Sequence, residues 1–224
     1  MALELIIFDC DGVLVDSEII ANLTLSKLLN EYDYKISAAE ARKRFLGLAI
    51  PSIIKEIQNE GFYLPDNFEK LLFYRDKAAF ANQLKSIPGI KTTLSKIKLP
   101  MCVVSSGSEK KIKTNLQNTN LMPHFLNNIF SAEMVKEPKP APDLFLLAAS
   151  TLRVHPENCL VIEDSEAGIK GAKEAGMLVF GFSGGKHCDK TYYQKLKKSG
   201  ADQTFNKVRK LPGMIANIRL SGTI

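Results

Sequence analysis

The stretch Leu5-Ile6-Ile7-Phe8-Asp9-Cys10-Asp11-Gly12 limits what this chain can become more than any other. An unbroken apolar run that ends at once in two carboxylates is the pattern of a buried strand in a parallel sheet, charged only at its carboxyl end. Side chains two apart share a face while a strand stays extended, so Asp9 and Asp11 can approach one ligand together. Gly12 then permits a tight turn that a side chain would obstruct. In open α/β sheets ligands sit beyond the carboxyl ends of the strands, which is where this pair falls. Adjacent carboxylates repel, and a hard divalent cation such as magnesium would offset that repulsion. An acidic polar loop with no ligand is the other reading of the same residues.

A chain of 224 residues suffices for a substantial core and a smaller subdomain. With 45% apolar and 24% charged residues the composition is that of an ordinary soluble protein, and no apolar run is long enough to span a membrane. Met1-Ala2-Leu3-Glu4 has neither the basic region nor the cleavage site of a secretory signal, so a cytoplasmic location is expected. Cys10, Cys102, Cys159 and Cys188 are scattered without metal-site spacing and read as free thiols. The net charge of +6 is spread along the chain. Short runs such as Lys110-Lys111 and Lys197-Lys198 read as solvated helix faces rather than a nucleic-acid stripe. No nucleic-acid or membrane partner is expected, and the chain is read as a monomer.

Beyond the first turn the chain looks helical until about residue 83, with Ser17 a candidate cap for the first helix. Further helices are expected over Ser37–Phe45, Pro51–Glu60 and Asp66–Asn82, the second of the four opened by a Ser37/Glu40 capping box. An all-helical insert of about 65 residues is too long for a loop and reads as a small domain. Residues 16–85 are therefore assigned to a helical insert, and residues 1–15 with 86–224 to a discontinuous α/β body. Strands are expected at Met101–Val104, Ile129–Phe130, Cys159–Ile162 and Met177–Gly181, and closing helices at Lys190–Lys198 and Lys207–Ile218, with residues 221–224 a frayed tail. The run ending at Val104 leads into Ser105-Ser106-Gly107-Ser108, either a phosphate cradle at a helix start or a plain serine cap. Lys139 sits among Pro138, Pro140 and Pro142, a frame that either presents its ammonium or simply leads into a helix. The last of the buried runs to end in acid finishes at Glu163-Asp164.

In a parallel sheet all these polar ends face one edge. Two or three carboxylates, hydroxyl and amide donors and one lysine suit a magnesium ion and a phosphate. No dinucleotide, P-loop or nucleophile-elbow motif is present.

Four stretches, DCDGVLVDSE from Asp9, VVSSGS around Ser105, KPAPDLF from Lys139 and EDSEAGIKGAKEAG from Glu163, occur in this order with a helical insert after the first. In this the chain resembles the haloacid dehalogenase-like hydrolase superfamily, within it the helical-cap sugar-phosphate phosphatases and the related β-phosphoglucomutases. The resemblance implies a Rossmann-like α/β core with an inserted helical cap. It also implies an Mg2+-dependent phosphatase acting on a small phosphomonoester, a sugar or sugar-acid phosphate such as 6-phosphogluconate, through an aspartyl-phosphate. Asp9 would be the nucleophile and Asp11 the acid and base. Asp9, the Asp11 carbonyl and Asp164 would hold the metal, with Glu163 nearby or acting through water, and Ser105, the Ser106 amide and Lys139 would hold the phosphate. Glu18, Arg44 and Gly47 are the candidates for contacting the leaving group. Where the mutases carry a histidine and a Lys-Gly…Arg segment, this chain has Ala21, Leu46-Gly47 and Ile50, so hydrolysis is expected over phosphate migration. A mutase-like phosphotransferase and a silent phosphate-binding protein are the alternatives.

Overall fold

The computed structural model describes residues 2–46, 48–125 and 128–221. The first strand, β1 (Leu5–Phe8), buries every residue because it lies inside the sheet with both faces covered. Ile6 and Phe8 join the core on one face, and Leu5 and Ile7 the core on the other, as a period of two requires. Four helices follow: α1 (Glu18–Glu31), α2 (Ala38–Phe45), α3 (Ile50–Asn59) and α4 (Phe68–Gln83). They enclose a third core of their own, in which Leu28, Phe45, Ile57, Phe68 and Leu72 meet. The expected capping box opens α2: Glu40 N–H donates to Ser37 Oγ at 3.2 Å, and Ser37 N–H donates to Glu40 Oε2 at 3.0 Å.

The chain re-enters the sheet body through α5 (Ile90–Leu94), β2 (Met101–Ser105), α6 (Glu109–Asn118) and β3 (Ile129–Ser131). It continues through α7 (Asp143–Thr151), β4 (Cys159–Glu163), α8 (Glu166–Glu174) and β5 (Leu178–Phe182). It ends with α9 (Tyr192–Lys198), β6 (Gln203–Phe205) and α10 (Leu211–Ser221). Among the described residues the six strands form one parallel sheet in the order β3-β2-β1-β4-β5-β6. Side chains of α5, α6 and α10 cover one face and those of α7, α8 and α9 the other, giving an α/β doubly wound body. Connections run outward in opposite directions from the β1/β4 pair, and at such a reversal a crevice opens beyond the carboxyl ends.

Three expectations need correction. Strand β6 was not anticipated: it is three residues long, and its first residue, Gln203, is exposed, so no apolar run announces it. Ser17 precedes α1 but makes no side-chain cap, its hydroxyl being drawn to Asp11. Ser221 belongs to α10 rather than to a loose tail, and residues 222–224 lie outside the described residues. Cys10, Cys102, Cys159 and Cys188 are free thiols, as expected. Among the described residues no helix is long and apolar enough to cross a membrane.

Candidate active site

Asp9 directly follows β1 and continues its ladder, donating its N–H to Ile162 O at 3.0 Å. This carries its buried side chain to the mouth of the β1/β4 crevice, beside Glu163 at the end of β4 and Asp164 just after it. Lys139, from the proline-framed loop before α7, is buried between them. Its ammonium donates to Asp9 Oδ1 at 2.7 Å, to Glu163 Oε1 at 2.6 Å and to Val104 O at 2.9 Å. An ammonium has three donors, and all three are taken. Burial opposes the charge on Lys139, yet Asp9 and Glu163 hold it above the ordinary lysine range. Lys139, expected at the phosphate, lines the cavity and fixes the Asp9 carboxylate.

Glu163 has no spare oxygen either. Oε1 receives Lys139, and Oε2 receives the N–H groups of Asp164 and Ser165 at 3.0 and 2.9 Å and the Ser165 hydroxyl at 2.9 Å. Ser165 in turn caps α8, accepting from Gly168 N–H at 3.0 Å. Gly168 is required there, because a Cβ would lie 1.7 Å from Glu163 Oε1. The end of β4 is thus built to hold Glu163, and Glu163 to hold Lys139.

Whether these residues suit a cation is answered by Asp164. Its Oδ2 is buried without a hydrogen-bond partner; His187 Nε2 lies 2.9 Å away, near enough for an ion pair but not aligned to donate. Asp9, Glu163 and Asp164 each bring an oxygen within 4.8 Å of the others. Burial pushes the carboxyls of both Asp9 and Asp164 well above their ordinary values, and Glu163 raises each further. Two desolvated aspartates, one with an unsatisfied oxygen, crowded against the already bonded Glu163 are a site that a divalent cation relieves, so the residues fit a hard metal ion.

Asp11 points toward the helical insert. Ser17 Oγ donates to its Oδ1 at 2.5 Å, Lys111 Nζ to its Oδ2 at 3.2 Å, and Asn115 Nδ2 reaches Oδ1 at 3.5 Å. Lys111 and Asn115 stand one helical turn apart on α6 and so share a face. Burial opposes the charge on Lys111, while Asp11, Asp76 and Glu18 keep it above the usual lysine range. Its place in a Lys-Lys pair suggested a solvated face. The structure instead exposes Lys110 and turns Lys111 into the cleft. Ser105 is buried at the end of β2, where its hydroxyl accepts from Gly107 N–H at 3.2 Å; with Ser106, Gly107 and Ser108 it lines the same cavity as Asp9 and Asp164.

The helical insert supplies the opposite wall. Glu18, expected to reach the leaving group, lines it, and burial pushes its carboxyl up to about 7. Ala21, Leu46 and Ile50 line it too, all apolar. Arg44 does not line it. Its guanidinium donates to Tyr34 Oη at 2.6 Å and to Glu56 at 2.8 Å and also pairs with Glu60, so the side chain is tied across α2 and α3. Arg44 is therefore withdrawn as a substrate contact, and Gly47 lies outside the described residues. Three residues escaped the sequence reading: Lys111, Asp76 and His187. Only Lys111 left a signal, its spacing of four from Asn115 and one from the buried Ile112.

The haloacid dehalogenase-like hydrolase family matches residues 6–182. The chain is 33% identical over 212 residues to the 6-phosphogluconate phosphatase of Escherichia coli (strain K12), covering 94% of this chain and 93% of that one. It is 28% identical to a phosphorylated carbohydrates phosphatase of Thermotoga maritima, over 78% of this chain and 82% of the other. Among solved structures, a haloacid dehalogenase-like protein of unknown function from Agrobacterium tumefaciens str. C58 superposes with a TM-score of 0.82 at 36% identity, covering 97% of this chain and 99% of that one.

Proposed function

This chain belongs to the haloacid dehalogenase-like hydrolase family, and on that premise we propose that it is an Mg2+-dependent phosphomonoesterase acting on a small phosphorylated carbohydrate, a sugar or sugar-acid phosphate. The observation that carries this reading is the meeting of Asp9, Lys139 and Asp164 at the β1/β4 crevice, in one cavity with the Ser105–Ser108 turn. The two phosphatase relatives support the substrate class.

Asp9 is the nucleophile: its carboxylate oxygen bonds to phosphorus as the bond from phosphorus to the leaving alcohol breaks, giving an aspartyl-phosphate. Lys139 opposes the protonation of that carboxylate that burial favours and orients it, and Glu163 acts behind it by holding Lys139. Asp11 gives its proton to the departing oxygen and then takes one from the water that attacks phosphorus, which restores Asp9 and releases phosphate. Ser17 and Lys111 keep Asp11 facing the leaving group rather than the nucleophile. Ser105 and the Ser106 amide bind the transferring oxygens, where fixed donors act most strongly on the transition state. A magnesium ion held by Asp9, the Asp11 carbonyl and Asp164 would neutralise phosphate charge and orient it for in-line attack. Residues 16–85 serve as a cap that excludes water and selects the leaving group.

Hydrolysis is favoured over phosphate migration because Ala21, Leu46 and Ile50 offer no group to retain a second phosphate. The test is phosphate release from sugar, sugar-acid, nucleotide and glycolate monophosphates with and without magnesium, for the parent and for Asp9→Asn and Asp11→Asn. The expected result is metal-dependent release by the parent, abolished in the first variant and lowered ~10²–10⁴-fold in the second. Undiminished release by Asp9→Asn would overturn the assignment.

A further inference from the structure

The leaving-group end of the cavity carries an unusual balance of charge. Its insert-side wall holds three carboxylates, Glu18 at the start of α1 and Glu69 and Asp76 on α4, the latter two seven residues apart and hence on one helical face. Lys111 is the lysine facing them, and it is already ion-paired with Asp11 at 3.2 Å. Arg44, which would balance an acidic guest, is held by Glu56 and Glu60 outside the cavity lining. Among the described lining residues this end therefore offers no uncommitted cation.

Asp76 shows what the pocket accepts. Its side chain is buried, 7% exposed, and its Oδ1 has no hydrogen-bond partner although it lines the cavity. The Lys111 charge reaches the carboxyl without closing an ion pair. A buried carboxyl in a cavity wall with one oxygen unpartnered can accept an O–H or N–H brought to it, and it repels another carboxylate. Leu46, Ile50 and Phe73 complete the wall and suit the carbon backbone of a small polyol.

Resting on the phosphomonoesterase reading, we infer that the leaving group is an uncharged polyhydroxylated alcohol, with Asp76 accepting one of its hydroxyls, and that a leaving group bearing its own carboxylate is selected against. Asp76 is then a specificity-determining residue remote from phosphorus.

The matched pair for a test is glucitol 6-phosphate and 6-phosphogluconate, which share a six-carbon chain and differ at C1, a hydroxymethyl against a carboxylate. Their kcat/KM values are measured by phosphate release for the parent, Asp76→Asn and Glu69→Gln, beside p-nitrophenyl phosphate. The parent is expected to prefer the neutral ester by ~10-fold or more, and Asp76→Asn to reduce that preference ~10-fold, chiefly through KM. Glu69→Gln reduces it less, its carboxylate being more exposed. A parent that prefers 6-phosphogluconate, or a folded Asp76→Asn variant with the preference unchanged, overturns the inference. Release from p-nitrophenyl phosphate but from neither carbohydrate ester overturns it too, while leaving the phosphatase reading standing. Release from no ester at all sinks both.

Discussion

Gly12 stands where a Cβ would fall 1.8 Å from Asp164 Oδ2, so the turn after β1 and the end of β4 can meet only through a glycine. The same residue has φ +81°, a conformation that costs an L-residue ~1–2 kcal/mol. Gly12→Ala must displace the Asp164 carboxylate and His187, whose Cε1 would lie 3.0 Å from the new methyl. The expected outcome is a lowered melting temperature together with weaker magnesium binding by calorimetry. A variant with parental affinity would show that the turn and the Asp164 carboxylate are not coupled.

Replacing Lys139 by Met leaves Asp9 and Glu163 facing each other in a buried site with no cation between them. Breaking a buried pair in this way costs about 3–5 kcal/mol, which urea denaturation reads directly. Glu163→Gln placed in the Lys139→Met background removes one of the stranded charges. It should therefore restore part of the loss, which simple cavity damage would not allow.

Burial pushes the Glu18 carboxyl from 4.5 up to about 7 and that of Asp76 from 3.8 up to about 6. Both groups hold a proton more tightly folded than unfolded, so the folded state binds more protons between about pH 4 and 7 and stability falls as pH rises through that window. Asp9 and Asp164 shift in the same direction and add to the fall. In Glu18→Gln/Asp76→Asn the contribution of the first two disappears. The stability difference, variant minus parent, should grow from pH 4 to pH 7; a difference independent of pH counts against the two shifts.

Crowded carboxylates also predict a response to metal that needs no turnover. Magnesium at about 100 times its Kd should add ~2.7 kcal/mol to the metal-free protein, seen as a rise in melting temperature. Asp164→Asn should lose most of that rise, since it removes the oxygen with no hydrogen-bond partner. An equal rise in the variant would place the ion elsewhere.

Arg44 ties α2 to α3 and does not itself line the cavity, so Arg44→Met should lower stability by about 1 kcal/mol, as a partly exposed network does. Its kcat/KM should stay within ~2-fold of the parent. A large kinetic loss at unchanged stability would return Arg44 to the substrate.

Residues whose environment is local were legible in the sequence. Strand β1 announces itself because both its faces are buried, and Asp9, Glu163 and Asp164 because each follows an apolar run. Strand β6 stays silent because an exposed edge needs no apolar run. Lys111 was misread for a related reason: what buries it is Asp11, a hundred residues earlier, while its neighbours along the chain are the lysines of a wet helix. Arg44 shows the converse, a cation near the cleft in sequence whose acidic partners arrive only when α3 packs beside α2. His187 had no local signature at all. It is one imidazole after a Gly-Gly-Lys loop, and only the fold brings it to Asp164.

The two strands of chain that join the helical insert to the sheet body are bonded to each other: Asp16 N–H donates to Lys85 O at 2.9 Å and Ile87 N–H to Leu14 O at 3.0 Å, around an antiparallel Val15–Ser86 bridge. The insert thus enters and leaves by a single doorway whose jambs are already in register. Whatever is threaded between them, the chain on either side of the insert starts and resumes at neighbouring points, so the sheet need not shift to accommodate it.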